Sequence, residues 1–220
     1  MSGKNPYYDP SKSHHTPDGF TNVEPHNRQQ GDFKRWQQER KAQRLPLPPE
    51  KGYDHFIENW WQTADFSGTD DRLWFLGHAC LLLRVAGCYI LMDPALSERA
   101  SPLRFYGPKR KTPVAAPVDQ LPPIDVVIFS HNHYDHLDNV TVRKLLRRFP
   151  QVQFMVPLGM KRWLEKRGAH FVEELDWWEE RQFGELTLSA VPARHWSMRT
   201  PWDRNQSLWC GWVVSHPSLR

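Results

Sequence analysis

The run "IDVVIF" (124–129) passes directly into "SHNHYDHLD" (130–138) and then into "NVTVRKLLRRF" (139–149). No other stretch restricts the fold as strongly. A β-branched run without polar alternation reads as a strand covered on both faces, as in a parallel sheet. Val142, Leu145, Leu146 and Phe149 recur at i, i+3, i+4 and i+7, one face of a helix, with Asp138 placed as its N-cap. Strand, polar loop and helix in that order point to an α/β arrangement.

The flanking sequence extends this pattern. "RLWFLG", "CLLLRV" and "CYILMD" are short apolar runs separated at Gly77 and Gly87, read as strands joined by tight turns. A Pro-rich stretch (102–123) crosses to the buried strand. "VQFMV" reads as a further strand, "LGMKRWLEKRG" as a helix closed by Gly168, and "ELTLSAV" and "LWCGWVV" as the last strands. In such folds ligands gather at strand ends. His131 to His136, His195 and Asp93 all follow strands, so their convergence at one edge is expected.

Upstream, residues 1–30 are polar, rich in Pro, Asn and His, and without hydrophobic period, which reads as an extended arm. "GDFKRWQQERKAQR" (31–44) reads as a short basic helix with Asp32 as N-cap. The division is therefore an arm with that helix over 1–69 and a folded body over 70–220. A net charge of +4 is too mild to imply a nucleic-acid partner, though it permits contact with an acidic surface. Three cysteines without a C-x-x-C give neither a disulfide framework nor a thiolate zinc site. With no apolar h-region at the start and no run long enough to span a bilayer, a cytoplasmic protein is expected, at most peripheral on a membrane. Oligomeric state is not legible.

Three histidines and two aspartates within nine residues call for a cation among them. An H-x-H step puts the His131 and His133 imidazoles on one side of an extended segment, within reach of one ion. Asp135 and His136 come next in a turn and can address a second ion. Imidazole and carboxylate ligands without thiolate suit zinc or a similar metal at a site that keeps an open, catalytic position. His195 offers the third imidazole such a site needs, and His78 in "LGHAC" can reach the same edge as a supporting group. His14, His15, His26, His55, His170 and His216 lack such a context and read as solvated surface residues.

H-x-H-x-D-H, an upstream "GHA" turn, a strand ending in Asp and a later strand-end His resemble the metallo-β-lactamase superfamily. "SERASPLRFYGPKR", "VPLGM", "ELDWWEE", "HW" at 195–196 and "LWCGW" are similar to its N-acyl-phosphatidylethanolamine-hydrolysing phospholipase D branch over about residues 70–220, with a weaker echo in "HHTPDGFTN". The resemblance implies a four-layered αβ/βα sandwich, of which this chain would be the N-terminal half plus its arm. It also implies two zinc ions per intact domain. His131, His133 and His195 would hold the first, and Asp135 and His136, as catalytic residues, the second. Asp93 would steady a ligand imidazole.

The family's bridging Asp and last His would lie past Arg220. On that reading the second site is incomplete and the second sheet missing, with 126–129 and 208–214 short of partners. The chain as it stands is then expected to be poorly stable and inactive. For the intact arrangement the resemblance implies attack of a metal-activated water on a lipid phosphodiester, giving phosphatidic acid and an N-acylethanolamine. Trp60, Trp61, Trp177 and Trp178, beside charges, could include membrane-surface anchors. The competing readings are the same fold acting on another ester, a lactone or RNA, and a metal-binding fragment without activity.

Overall fold

The computed structural model describes residues 5–24, 31–103 and 105–217. In chain order they form β1 (His15–Thr16), β2 (Gly19–Phe20), α1 (Asp32–Ala42), α2 (Gly52–Trp60), β3 (Arg72–Gly77), β4 (Cys80–Val85), β5 (Cys88–Met92), β6 (Val126–Ile128), α3 (Asn139–Arg148), β7 (Gln153–Pro157), α4 (Lys161–Glu165), β8 (Phe171–Leu175), β9 (Glu180–Phe183), β10 (Leu186–Val191) and β11 (Gly211–Ser215). Strands β3 to β8 make one six-stranded sheet in sequence order. It is an antiparallel meander through β5 and parallel from β5 to β8. A second, antiparallel sheet is ordered β11-β10-β9.

Successive residues of β6 and β7 point to opposite faces, and that alternation builds the layers. Val127, Phe129, Phe154 and Val156 share a core with Val142 and Leu145 of α3 and Leu164 of α4. Val126, Ile128 and Met155 share a different core with Leu186, Leu188 and Ala190 of β10 and with Trp209. The order is thus helices, large sheet, small sheet, which is three layers of the sandwich among the described residues. Burying a leucine such as Leu145 completely contributes about 2 kcal/mol.

Helix α3 starts as its sequence requires. The Asp138 carboxylate accepts from the Val140 amide at 3.0 Å and, on its other oxygen, from Ser97 N at 2.9 Å and Thr141 Oγ1 at 2.5 Å. One residue therefore caps the helix and ties it to the segment after β5. In α1 the N-cap is Gly31, in the left-handed region at φ 97°, rather than Asp32. Asp32 instead sits in the first turn and pairs with Arg35. Helix α2 and strands β8 and β9 carry no apolar run long enough to mark them.

Two expectations are corrected. The segment at 126–129 is not short of partners, because β6 is hydrogen-bonded between β5 and β7. Nor is the second sheet missing, since β9, β10 and β11 supply three strands of it. The arm is also not simply extended. Residues 5–22 are docked on the body through the β1–β2 hairpin: Phe20 is buried in the sheet–sheet core, and Tyr7 Oη donates to Glu174 at 2.8 Å. His26 lies outside the described residues.

Candidate metal centre

Strand β6 ends at Ile128, and the ten residues before α3 form a loop pinned from three sides. Asp93, directly after β5, is buried; its Oδ1 accepts from the Ser130 amide at 2.7 Å and its Oδ2 from Ser130 Oγ at 2.6 Å. The amides of His136 and Leu137 fold back onto the His133 carbonyl, at 3.1 and 2.8 Å. From the far side, Asn132 Oδ1 accepts from the Met198 amide at 3.0 Å, and Arg199 Nη1 donates to the carbonyls of Asn132 and Leu137 at 2.7 and 2.8 Å.

Three ring nitrogens meet inside this frame. His131 Nε2 lies 2.9 Å from His133 Nδ1 and 3.1 Å from His195 Nε2, which is 3.3 Å from His133 Nδ1. The network sets the tautomer of His131. Because the Ser130 hydroxyl donates to Asp93, its oxygen is left to accept from His131 Nδ1, 2.9 Å away, and Nε2 presents a lone pair to the centre. Burial above all, then the neighbouring imidazoles, pushes the His131 pKa down to about 2 and that of His133 to about 4. Burial, followed by the charge of His136, lowers His195 as well. Neutral rings with inward lone pairs repel unless a cation lies between them. Two imidazoles on one tetrahedral ion at about 2.0–2.1 Å stand roughly 3.3–3.4 Å apart, close to this triangle. The donor set fits a divalent metal. His133 Nε2 is buried without a hydrogen-bond partner among the described residues, its ring packed edge-on to Trp196 at 4.3 Å.

Beside it lies a second cluster of three: His78, Asp135 and His136. His136 Nδ1 donates to Asp93 Oδ2 at 2.9 Å, which leaves Nε2 turned toward Asp135 Oδ2 at 3.8 Å. Burial disfavours the charged ring, but the Asp93 hydrogen bond outweighs it and raises the His136 pKa. His78, on the β3–β4 turn at φ 55°, places Nε2 3.0 Å from Asp135 Oδ2. It reaches the same edge, as expected, and its contact there is with the Asp135 carboxylate.

A third cluster overturns the reading of His14 and His15 as solvated. Both are buried, with Nε2 atoms 2.6 and 2.9 Å from the two Asp176 oxygens, and Lys12 Nζ reaches Asp176 Oδ2 at 2.5 Å. Nitrogen and oxygen ligands sharing an ion at about 2.1 Å stand at least about 2.9 Å apart even at right angles. The 2.6 Å contact and the ammonium make this a hydrogen-bonded ion-pair clasp, not a metal site.

A cleft of 620 Å3 opens over the first two clusters, bounded by His78, His133, Asp135 and Trp196. Its wall also carries Lys109, Arg110 and Lys111, from the "GPKR" segment and the residue after it, with Glu98 among them. Lys109 pairs with Glu98 at 2.8 Å, and Arg110 Nη2 donates to the Ala95 carbonyl, so the wall is built rather than incidental.

Comparison with known proteins agrees with this architecture. A family model described as "Beta-lactamase superfamily domain" matches residues 89–220. The chain belongs to the beta-lactamase superfamily. Among its superfamily relatives, it is 37% identical over 163 residues to N-acyl-phosphatidylethanolamine-hydrolyzing phospholipase D 1 of Caenorhabditis elegans, covering 69% of this chain and 46% of that protein. It is 42% identical over 162 residues to an uncharacterized protein of Mycobacterium tuberculosis, covering 70% of this chain and 42% of that one. The mitochondrial N-acyl-phosphatidylethanolamine-hydrolyzing phospholipase D of Saccharomyces cerevisiae is 36% identical, over 64% of this chain and 31% of its own length. The chain thus spans less than half the length of these relatives. Solved structures that resemble it in fold include isothiocyanate hydrolase from Delia radicum gut bacteria, at a TM-score of 0.51 and 23% identity over 66% of this chain and 58% of that one. CmlA, a diiron β-hydroxylase from Streptomyces venezuelae, matches at a TM-score of 0.51 and 21% identity over 77% of this chain and 34% of its own.

Nothing in residue spacing marks Asn22, Ser130, Asn132 or Arg199, which hold the site through hydrogen bonds, most of them to backbone groups. Only the "HHTPDGFTN" echo pointed near Asn22. Of the four tryptophans considered as anchors, Trp60 and Trp178 are exposed, but Trp177 is buried, and the Trp61 indole donates to the Pro113 carbonyl at 3.0 Å. Among the described residues no helix is long and apolar enough to cross a membrane.

Proposed function

We propose that this protein is a zinc-dependent hydrolase, a phosphodiesterase acting on phospholipids of the N-acyl-phosphatidylethanolamine type. The observation that carries the reading is the cleft whose wall includes Lys109, Arg110 and Lys111 together with His78, His133 and Asp135 of the imidazole clusters. An anionic phosphodiester is the group that such a wall attracts and that a metal site can cleave. The phospholipase D names of the relatives point to the same class.

His131, His133 and His195 would hold one zinc, and Asp135 and His136 a second, with His78 within reach of the latter. Bound zinc would supply Lewis acidity and a lowered pKa for the attacking water. Asp93 keeps the protons of His136, and through Ser130 of His131, on the outer nitrogens, so that both rings turn their lone pairs inward. Lys109 and Lys111 draw the phosphate into the cleft, and Trp196 closes the wall beside His133. Water adds across the P–O bond: its oxygen goes to phosphorus, and the leaving N-acylethanolamine takes the proton. Such a substrate lies in a bilayer, so peripheral membrane contact through exposed Trp60 is part of the proposal, in a protein placed in the cytoplasm.

The test is product analysis on N-palmitoyl-phosphatidylethanolamine in mixed micelles with zinc-loaded protein. Phosphatidic acid and N-palmitoylethanolamine in equal amounts, abolished by a chelator and restored by zinc, are expected. Zinc-loaded protein that leaves this lipid intact but opens a lactone or another ester would replace the substrate assignment.

A further inference from the structure

His195 belongs to no strand or helix. It lies four residues past β10 in a loop, yet its nitrogen completes the three-imidazole triangle. What fixes its backbone comes from far upstream. Asn22 Nδ2 donates to the His195 carbonyl at 2.9 Å, and Asn22 Oδ1 accepts from the His195 amide at 3.0 Å. One side-chain amide thus reads both polar groups of a single residue, as a neighbouring β-strand would. The same Oδ1 accepts from Trp209 Nε1 at 3.2 Å, so Asn22 joins the loop to the sheet–sheet core.

Asn22 is itself held in place. Phe20 N donates to the Asn205 carbonyl at 2.8 Å and Thr21 N to the His14 carbonyl at 2.8 Å. Asn5 Nδ2 closes the hairpin on the Gly19 carbonyl at 2.8 Å. His14 stacks on Trp177 with ring centroids 4.3 Å apart, while Lys12, His14 and His15 converge on Asp176. Trp177 Nε1 donates to the Trp209 carbonyl at 2.6 Å, which returns the contact chain to Asn22. The result is a continuous physical connection from the clasp to the loop.

We propose that Asn22 is a positioning residue for the metal centre, and that the N-terminal segment, clasped at Asp176, serves to place His195. This deepens the metal-site reading given above and rests on it. Asn22 is not one of the residues that line the cleft, and its hold on the centre runs through the His195 backbone.

The experiment uses the full-length protein and cobalt(II) chloride as the probe, with two readouts. One is cobalt affinity by visible titration; the other is hydrogen exchange at the His195 amide in metal-free protein. Asn22→Ala is expected to weaken cobalt binding about tenfold or more and to speed exchange at His195. Val172→Ala trims a buried side chain of β8 on the helix side of the large sheet, outside the N-terminal segment, and so serves as a control; it should lower Tm and leave cobalt affinity unchanged. Should Asn22→Ala not fold, Asn22→Ser is read the same way, since its hydroxyl can still accept from the His195 amide and should retain part of the affinity. Unchanged exchange and unchanged affinity in the folded Asn22 variant overturn the proposal, as does an equal loss in Val172→Ala. Wild-type protein that takes up no cobalt, with exchange still accelerated in Asn22→Ala, removes the metal reading instead and leaves Asn22 as a loop anchor only.

Discussion

Asp93 and Gly19 show how much depends on single atoms. Asp93 receives the Ser130 amide and hydroxyl and the His136 Nδ1 proton on one buried carboxylate. Asp93→Asn keeps the shape but turns a donor toward at least one of them. Zinc affinity, measured by competition with a chromophoric chelator, is expected to fall 10- to 100-fold, and a full-affinity variant would show that the inner lone pairs need no such support. At Gly19 a Cβ would stand 2.2 Å from the Asn205 carbonyl oxygen, a backbone atom that cannot give way. Gly19→Ala should therefore cost about 2 kcal/mol or more, read as a lower urea midpoint. An unaltered midpoint would mean that the hairpin is not seated there. The histidine-rich loop was legible in sequence because five ligand-type side chains crowd within nine residues. Asn22 and Arg199 were not, since hydrogen bonds to a distant backbone leave no spacing to read.

At the scale of elements, hydrophobic period served well where burial is apolar. The strands β3 to β7, β10 and the helix α3 follow from runs and i, i+3, i+4 spacing, and Asp138 caps as its chemistry dictates. The β1–β2 hairpin has no such period. It docks through buried polar groups, Asn5, His14, His15 and Asn22, whose partners lie as many as 187 residues away, so composition alone read it as an open arm. Asp176 anchors it. Burial would raise that carboxyl, but the hydrogen bonds from His14 and Lys12 outweigh it, and its pKa is well below the usual carboxylate range. A depressed native pKa contributes stability above the unfolded value of about 3.9 and loses it as pH falls below that. Asp176→Asn should thus cost about 3 kcal/mol at pH 7, with a gap from wild type that narrows below about pH 4. Thermal melts across pH 2–7 check this, and a gap that widened in acid would contradict it.

For the molecule as a whole, the candidate metal centre lies where the two sheets and the docked N-terminal segment meet, so an ion bound there would couple ligand binding to fold stability. His131 follows β6 of the large sheet, His195 follows β10 of the small sheet, and Asn22 comes from the hairpin. An ion bound at a hundredfold excess over its Kd adds about 2.7 kcal/mol. Chelation is then expected to lower Tm by roughly 5–10 °C for a chain of this size, and a chelator-insensitive Tm would show that the sheets do not rely on the ion. The run at 124–129 foretold a strand covered on both faces, whereas the small sheet that covers one of them was expected to be missing. The pairing of β9 with β10 was not legible, because "ERQF" has a single apolar residue, Phe183. The most direct measurement is zinc K-edge X-ray absorption on protein loaded with one equivalent of zinc, compared with the His133→Ala variant. The account predicts a nitrogen shell at about 2.0–2.1 Å with the outer-shell scattering of three imidazoles, reduced in the variant. An oxygen-dominated shell without imidazole scattering, or a spectrum that does not change on losing His133, would contradict it.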